Sequence, residues 1–285
     1  MKSVHSRKNN NPRIGVVIPA RNEFNNISST LQAINQQTLQ PTQIIVVDDY
    51  SNDGTGKLAD SFTGVTVVRF PHNHESWVIK KELAQVFNLG LEQLSSDLDF
   101  VTIVGADDVL PSNYLEYVSD KMIQEGVTMA SGQIGDEVTT IPRGSGRLVD
   151  WKWWKSIGGR YPINYGYESW LLAKCISNNK VAKIYPEIKS RLQRPTGANY
   201  APQKYIHRGQ AYKALGYNHR FVVGRFVVMI LKKRQLFSAI KMIWGYLRYP
   251  VEQYEDDVRN YYRTYQDKEM SVKNIFSLAK RFINA

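Results

Sequence analysis

Three things are scarce in this chain of 285 residues: cysteine, long apolar runs and, over one extended stretch, acidic side chains. The single cysteine, Cys175, excludes an internal disulfide and any zinc site built on several thiolates, and it suits a reducing compartment. No stretch approaches the roughly 20 apolar residues that a bilayer-crossing helix needs. Among the most apolar segments is FVVGRFVVMIL, Phe221 to Leu231, and it is interrupted by Arg225. The start, MKSVHSRKNNNPR, is basic and polar with no apolar segment behind it, so residues 1–12 are expected to be a disordered arm rather than a secretory leader. The third absence is the most informative. Residues 188–251 hold 13 Lys and Arg but no Asp or Glu, whereas residues 1–187 carry 18 basic and 20 acidic side chains. The formal charge of +11 therefore arises in one segment, which points to a partner rather than to general solubility.

What is present is an alternation of short β-branched runs and helical patterns. RIGVVIP (Arg13–Pro19) and Phe100–Val104 read as buried strands, and QIIVV (Gln43–Val47) and Val65–Arg69 as further strands. Between them, the spacing of Ile27, Leu31 and Ile34 predicts a helix over Asn26–Gln37, capped by Asn25 or Asn26. Further helices are predicted near Thr55–Ser61 and over Glu75–Leu94. Such alternation implies an α/β fold, its central sheet mostly parallel and flanked by helices. Ligands bind such sheets at the carboxyl ends of the strands. Two acidic pairs, Asp48/Asp49 and Asp107/Asp108, fall at strand ends of this kind.

Each pair has a structural and a chemical reading. Asp107/Asp108 could cap a helix beginning near Pro111, although Ser112 could do so alone. Adjacent carboxylates otherwise repel unless donors or a cation lie between them, and a hard divalent ion bridging to phosphate would supply that cation. Asp48 and Asp49, with Ser51 and Asp53, could be turn chemistry. The tryptophans of WKWW (Trp151, Trp153, Trp154) and the neighbouring Tyr161, Tyr165, Tyr167 and Trp170 could fill a core or offer rings for a sugar to stack on. His72 and His74 lack acidic residues at metal-ligand spacing and read as solvated or ligand-edge groups.

The stretch VVIPARNEFNNISSTLQAINQQTLQPTQIIVVDDYSNDGT, Val16 to Thr55, resembles the opening of family-2 glycosyltransferases of the GT-A (Rossmann-like) fold. The likeness continues through Asn88-Leu89-Gly90 to Gly105-Ala106-Asp107-Asp108 and covers about residues 13–195. It implies a nucleotide-sugar site lined by Pro19, Ala20, Arg21, Glu23, Asp48, Asp49, Lys80 (or Lys81) and Ala106, with Asp107 as the ligand of Mn²⁺ or Mg²⁺ and Asp108 adding a contact. The family's acidic motif is Asp-x-Asp, and its first aspartate is Gly105 in this chain; Tyr50 likewise stands where the family has glycine. Gly166-Tyr167-Glu168-Ser169-Trp170-Leu171 resembles Gly-Glu-Asp-x-x-Leu, which places Glu168 at the position of the general base, one methylene longer than the usual aspartate. On the acceptor and diphosphate side the resemblance and the local chemistry suggest Trp154, Tyr167, Trp170, Arg191 and Arg194. The Gln-x-x-Arg-Trp signature of processive members is missing, which implies transfer of one sugar per binding event.

The expected organisation is a GT-A domain over 13–215 and a basic, amphipathic helical extension over 216–285. In the extension, Leu236, Ile240, Ile243, Trp244 and Leu247 recur at helical spacing beside Lys232, Lys233 and Arg234. Helices of this kind lie at membrane interfaces, so an anionic membrane surface is the expected partner of 188–251. A helical pair packed on the catalytic domain is the plainer reading. Nucleic acid is not expected, because the basic residues are interleaved with long aliphatics. The function expected is inverting sugar transfer from a nucleotide-diphosphate donor to a lipid-linked or glycan acceptor at the cytoplasmic membrane face. The alternative is a catalytically idle nucleotide-sugar-binding homologue acting as a membrane scaffold.

Overall fold

The structure is a computed structural model that describes residues 11–71, 81–137, 139–194, 203–231 and 235–269. The described residues fall into two compact units. One draws on Met1–Asn73, Val86–Arg160 and Val181–Thr196, the other on His74–Gln85, Tyr161–Lys180 and Gly197–Ala285. The units interleave along the sequence, whereas composition alone places a single boundary at 215/216.

The first unit is built on β1 (Ile14–Ala20), α1 (Ile27–Asn35), β2 (Gln43–Asp48), α2 (Thr55–Asp60), β3 (Val65–Arg69), α3 (Leu83–Glu92, of which Val86 onward belongs to it) and β4 (Phe100–Ile103). It continues with β5 (Asp108–Val109), α4 (Tyr114–Glu125), β6 (Met129–Ile134), β7 (Arg147–Asp150), α5 (Trp151–Ser156) and, after the second unit intervenes, β8 (Ala182–Leu192). The sheet order is β3-β2-β1-β4-β7-β6-β8-β5. Strands β1, β2, β3 and β4 run parallel, while β7 is antiparallel to both β4 and β6. The pairing register sets Ala20 opposite Asp48 and Val17 opposite Ile103, so these strands end on one edge of the sheet. Side chains alternate across β1. Ile14, Val16 and Ile18 join a buried cluster with Leu31 and Ile34 of α1 and Leu115, Val118 and Met122 of α4. Val17 faces the other way, toward Gly90 of α3.

Helix α3 approaches the sheet closely because Gly90 has no side chain. A Cβ there would lie 2.4 Å from Val17 Cγ1 and 2.8 Å from Val47 Cγ2. Both neighbours are β-branched, fully buried and fixed within strands, so neither can yield cheaply.

The second unit contains α6 (Tyr167–Ser177), α7 (Lys204–Ala214), α8 (His219–Leu231), α9 (Leu236–Arg248) and α10 (Asp256–Glu269). Helices α7 and α9 touch backbone to backbone at two glycines. A Cβ on Gly209 would meet Met242 O at 2.0 Å, and one on Gly245 would meet Ile206 O at 2.1 Å. Val222, Met229, Ala239, Met242 and Tyr246 form the buried cluster under α8 and α9. Trp170 Nε1 donates to Glu255 at 3.1 Å, and Lys174 pairs with Asp257 at 2.8 Å, which ties α6 to the start of α10.

Substituting Gly90→Ala is expected to destabilise the protein by about 1–3 kcal/mol through overpacking, read as a lower midpoint in urea with an unchanged slope. A midpoint equal to that of the parent would refute the close approach of α3 to β1 and β2.

Candidate active site

At the strand ends of the first unit the chain gathers five carboxyl groups: Glu23, Asp48, Asp49, Asp107 and Asp108. All but Asp107 are nearly sealed from solvent. Neighbouring groups compensate each of them. Asp48 Oδ1 accepts from Ser51 N at 3.1 Å, and its other oxygen lies where a Cβ on Gly56 would come within 2.2 Å. Gly56, which the sequence reading passed over, thus leaves room for this carboxylate. Asp49 lies 3.6 Å from the Arg21 guanidinium. Glu23 accepts from Asn26 Nδ2 at 2.7 Å on one oxygen and from Arg194 Nη2 on the other. Asn26 stands at the cap position of α1, but its side chain serves Glu23 and does not cap the helix.

The loop after β2 is pinned to the loop after β1 by Asp53. Its carboxylate accepts from Phe24 N at 3.1 Å, Thr55 N at 3.0 Å and Thr55 Oγ1 at 2.5 Å. Burial alone would raise the Asp53 pKa, but the hydrogen bonds from Thr55 and Phe24 hold it below the usual carboxylate value. Gly54 has φ +93°, a left-handed conformation that glycine adopts without steric cost. Tyr50 adopts φ +56°, which explains the glycine of the family pattern and strains the tyrosine that replaces it.

The opening of the helix after the second acidic pair decides one of the alternatives. Helix α4 begins at Tyr114 with Asn113 at its cap position, so neither Asp107 nor Asp108 caps it. Asp108 enters β5 opposite Leu192 of β8 and has no exposed surface. Ser145 Oγ donates to it at 2.6 Å. Desolvation pushes its pKa up, the hydroxyls of Ser145 and Ser190 offset part of that, and the charge of Asp107 adds to the rise. As a ligand reaching a bound ion, Asp108 is poorly placed; it supports the loop from behind. Asp107 keeps 18 % of its side chain exposed and receives Arg194 Nε at 2.8 Å. Ala106 is buried, and its carbonyl accepts from Thr30 Oγ1 at 2.8 Å, which fixes the loop to α1.

Arg194 lies just beyond β8, and its backbone is held by its neighbour. Gln193 N donates to Asp107 O at 2.8 Å, and Gln193 Nε2 donates to Asn26 O at 3.0 Å. Arg191, by contrast, is exposed. Pro19 and Ala20 end β1 beside these groups. Lys80, His72 and His74 lie outside the described residues, and Lys81 is exposed in the second unit.

The aromatic candidates are packing residues as placed. Trp154 is 1 % exposed, and its ring meets Trp151 edge-on at 5.8 Å. Tyr167 and Trp170 are buried in the second unit. None presents an open ring face to a sugar, so the core-filling alternative describes all three. Glu168 is half-buried in the first turn of α6, after Gly166 in the left-handed conformation.

An open α/β sheet with carboxylates and two guanidinium groups at the carboxyl ends of its parallel strands defines a class of protein that binds polar, phosphate-bearing ligands there. Comparison with known proteins gives the family. The model of "Glycosyl transferase family 2" matches residues 15–170, more than half of the chain, and the protein belongs to that family. Two curated relatives come from Streptococcus pneumoniae serotype 4. Glycosyltransferase GlyA is 28 % identical over 123 residues, spanning 42 % of this chain and 16 % of GlyA. Glycosyltransferase GlyG is 29 % identical over 120 residues, spanning 42 % of this chain and 38 % of GlyG. The alignments thus cover well under half of either relative's length. Among solved structures, residues 1–349 of S. aureus TarS in complex with UDP-GlcNAc align at TM-score 0.55 and 14 % identity, covering 91 % of this chain and 76 % of that one. The mannosyltransferase PcManGT from Pyrobaculum calidifontis, in complex with GDP-Man and Mn²⁺, aligns at 0.58 and 18 %, covering 97 % and 81 %. These likenesses establish the GT-A fold.

Asp53→Ala removes three accepted hydrogen bonds from an exposed carboxylate and is expected to cost about 1 kcal/mol or less at neutral pH. Because the folded pKa is depressed, this stability is present above the unfolded value of about 3.8 and is lost as pH falls through the folded value. The gap between parent and variant in urea melts should therefore close on acidification below that point. A gap independent of pH would contradict the assignment.

Proposed function

We propose that the protein transfers a sugar, with inversion, from a nucleotide-diphosphate donor to a hydroxyl of a lipid-linked or glycan acceptor. Family membership together with the acidic rim at the ends of β1, β2 and β4 is the observation that carries this reading. Asp49 and Asp48 receive donors from the base and ribose, and Arg21 and Glu23 line the same pocket. Glu168 takes the proton of the acceptor hydroxyl as that oxygen attacks the anomeric carbon and the diphosphate departs. Arg191 and Arg194 offer positive charge to the leaving group.

A divalent ion at this site would be Mn²⁺ or Mg²⁺, and the donor set is compatible with one. Among the described residues no three His, Cys, Asp or Glu side chains cluster as a complete cage. Ions of this kind are commonly held by one or two carboxylates with substrate phosphates and water completing the shell. Asp107, the one exposed carboxylate of the group, can serve in that way. The bound ion would neutralise charge on the leaving diphosphate. The nucleotide sugars of the TarS and PcManGT complexes, and the Mn²⁺ of the latter, support this assignment by analogy of fold.

Replacing Glu168→Gln or Asp107→Asn is expected to lower turnover about 10²–10⁴-fold, measured as release of nucleoside diphosphate from a donor panel with Mn²⁺. Variants as fast as the parent would sink the assigned roles. A parent that binds nucleotide yet releases none, with acceptors supplied, would favour the idle homologue.

The second unit supports a peripheral position on a membrane. Val223, Val227, Leu231, Leu236, Phe237, Ile240, Trp244 and Leu247 of α8 and α9 are all exposed, Phe237 to 81 %. Arg220, Arg225 and Arg248 are exposed on the same helices, and the Arg248 guanidinium lies 5.1 Å from the Trp244 ring. An apolar face with a basic rim and no acidic residue matches an anionic lipid surface. Among the described residues no helix is long and apolar enough to cross a membrane. The double substitution Phe237→Ser and Trp244→Ser is expected to weaken co-sedimentation with phosphatidylglycerol vesicles tenfold or more, since each buried aromatic contributes about 1.5–3 kcal/mol. Equal pelleting of parent and variant would refute the interfacial role.

A further inference from the structure

The geometry of Arg194 raises a question about how the donor site can be loaded. Its guanidinium bridges two loops, with Nη2 on Glu23 after β1 and Nε on Asp107 Oδ2, at 2.8 Å, after β4. Asp107 is also the carboxylate best exposed to take a divalent ion, since Asp108 is sealed behind it and the other motif position is Gly105. A Cβ on Gly105 would sit only 3.1 Å from Asp107 Oδ1, so the glycine leaves that oxygen open on its side. An incoming ion on Oδ1 would therefore share one carboxylate with the arginine on Oδ2, and two cations so crowded would repel.

We infer that Arg194 is the resident counter-ion of this site and exchanges partners when the donor arrives: its Nε leaves Asp107 to the divalent ion and takes the donor's diphosphate. The inference rests on the donor-site reading above. Three observations make the exchange a side-chain movement alone. Gln193 holds the backbone through Asp107 O, Asn26 O and, at 3.3 Å, Thr30 Oγ1. Glu23 is buried, and its second oxygen is satisfied by Asn26, so it remains the fixed end of the bridge. The Arg194 side chain is 36 % exposed, which gives its free edge access to a phosphate. Arginine suits this exchange because its planar fork can keep one carboxylate while offering other N–H groups elsewhere. The device couples the two ligands: Mn²⁺ alone must displace a cation, whereas Mn²⁺ with a diphosphate gives that cation a new partner.

The test is binding rather than turnover. Free Mn²⁺ is followed by electron paramagnetic resonance for the parent, R194Q and R194K, alone and with UDP, GDP, CDP, ADP or dTDP, after melting curves establish that each is folded. In R194Q, Mn²⁺ alone is expected to bind about tenfold more tightly than in the parent, and the accepted nucleotide about tenfold more weakly. R194K should move both in the same directions by less, and it carries the test if R194Q does not fold. Mn²⁺ affinity unchanged or weakened on removing the guanidinium overturns the exchange, even if the nucleotide is lost. A parent that binds none of the diphosphates with or without Mn²⁺ is a different result; it overturns the donor-site reading, and the exchange with it.

Discussion

The concentration of like charge at one edge of a sheet is the constraint to which the rest of the first unit answers. Parallel pairing of β1, β2 and β4 forces their following loops onto the same side, and each loop delivers carboxyl groups there. Five acids so placed would repel one another and lose hydration. The structure meets this with several remedies. Backbone N–H satisfies Asp48, a guanidinium lies against Asp49, another spans Glu23 and Asp107, and hydroxyls with a shift toward the neutral form serve Asp108. The adjacent aspartates that end TIVGADD are thus not equivalent. One is partly exposed and paired with Arg194, while the other is buried and hydrogen-bonded to Ser145.

Small residues make those remedies possible. Gly56 lets α2 pass beside the Asp48 carboxylate, and Gly105 keeps one side of Asp107 clear. Only Gly54 among the glycines of this rim is required for its dihedral angle; the other two are required for the space they leave. Tyr50 is the counterexample, a bulky residue in a conformation where glycine costs nothing.

The first half of the fold was legible because local and global signals agree there. Strands β1 to β4 are rich in β-branched residues, β1, β2 and β4 are buried while the edge strand β3 is only partly so, and all four lie within a residue or so of where the apolar runs place them. The second half was not. Strand β6 reads MASGQI, with little intrinsic strand preference, and it is held in place by its neighbours. Gly132 in it admits Ile188 O and the Tyr114 ring where a Cβ would clash, and the pairing with β8 shifts register just beyond it. Strand β8 carries Pro186, which argues against a strand when read alone. Of the site, the acidic pairs could be read from the sequence, since they stand directly at the ends of legible strands. Asp108's burial against Ser145 and the double ion pair of Arg194 could not, because each depends on chain more than 30 residues away.

The acid-free segment shows why composition can mark a feature without defining one function. Its first members, Lys189, Arg191 and Arg194, belong to β8 and the residues that follow it; Lys189 pairs with Asp136, and Arg194 answers the carboxyl rim. From Lys204 onward the basic residues belong to the second unit, among helices whose outward faces are apolar. A carboxylate in the first group would add to a repulsion that Arg194 already works against. One in the second would oppose any anionic surface those helices meet. The acid-free segment thus runs through two different physical settings, the end of β8 and the helices of the second unit. They separate where β8 ends, and Arg194, at that point, is the last basic residue whose partners are seen on the rim.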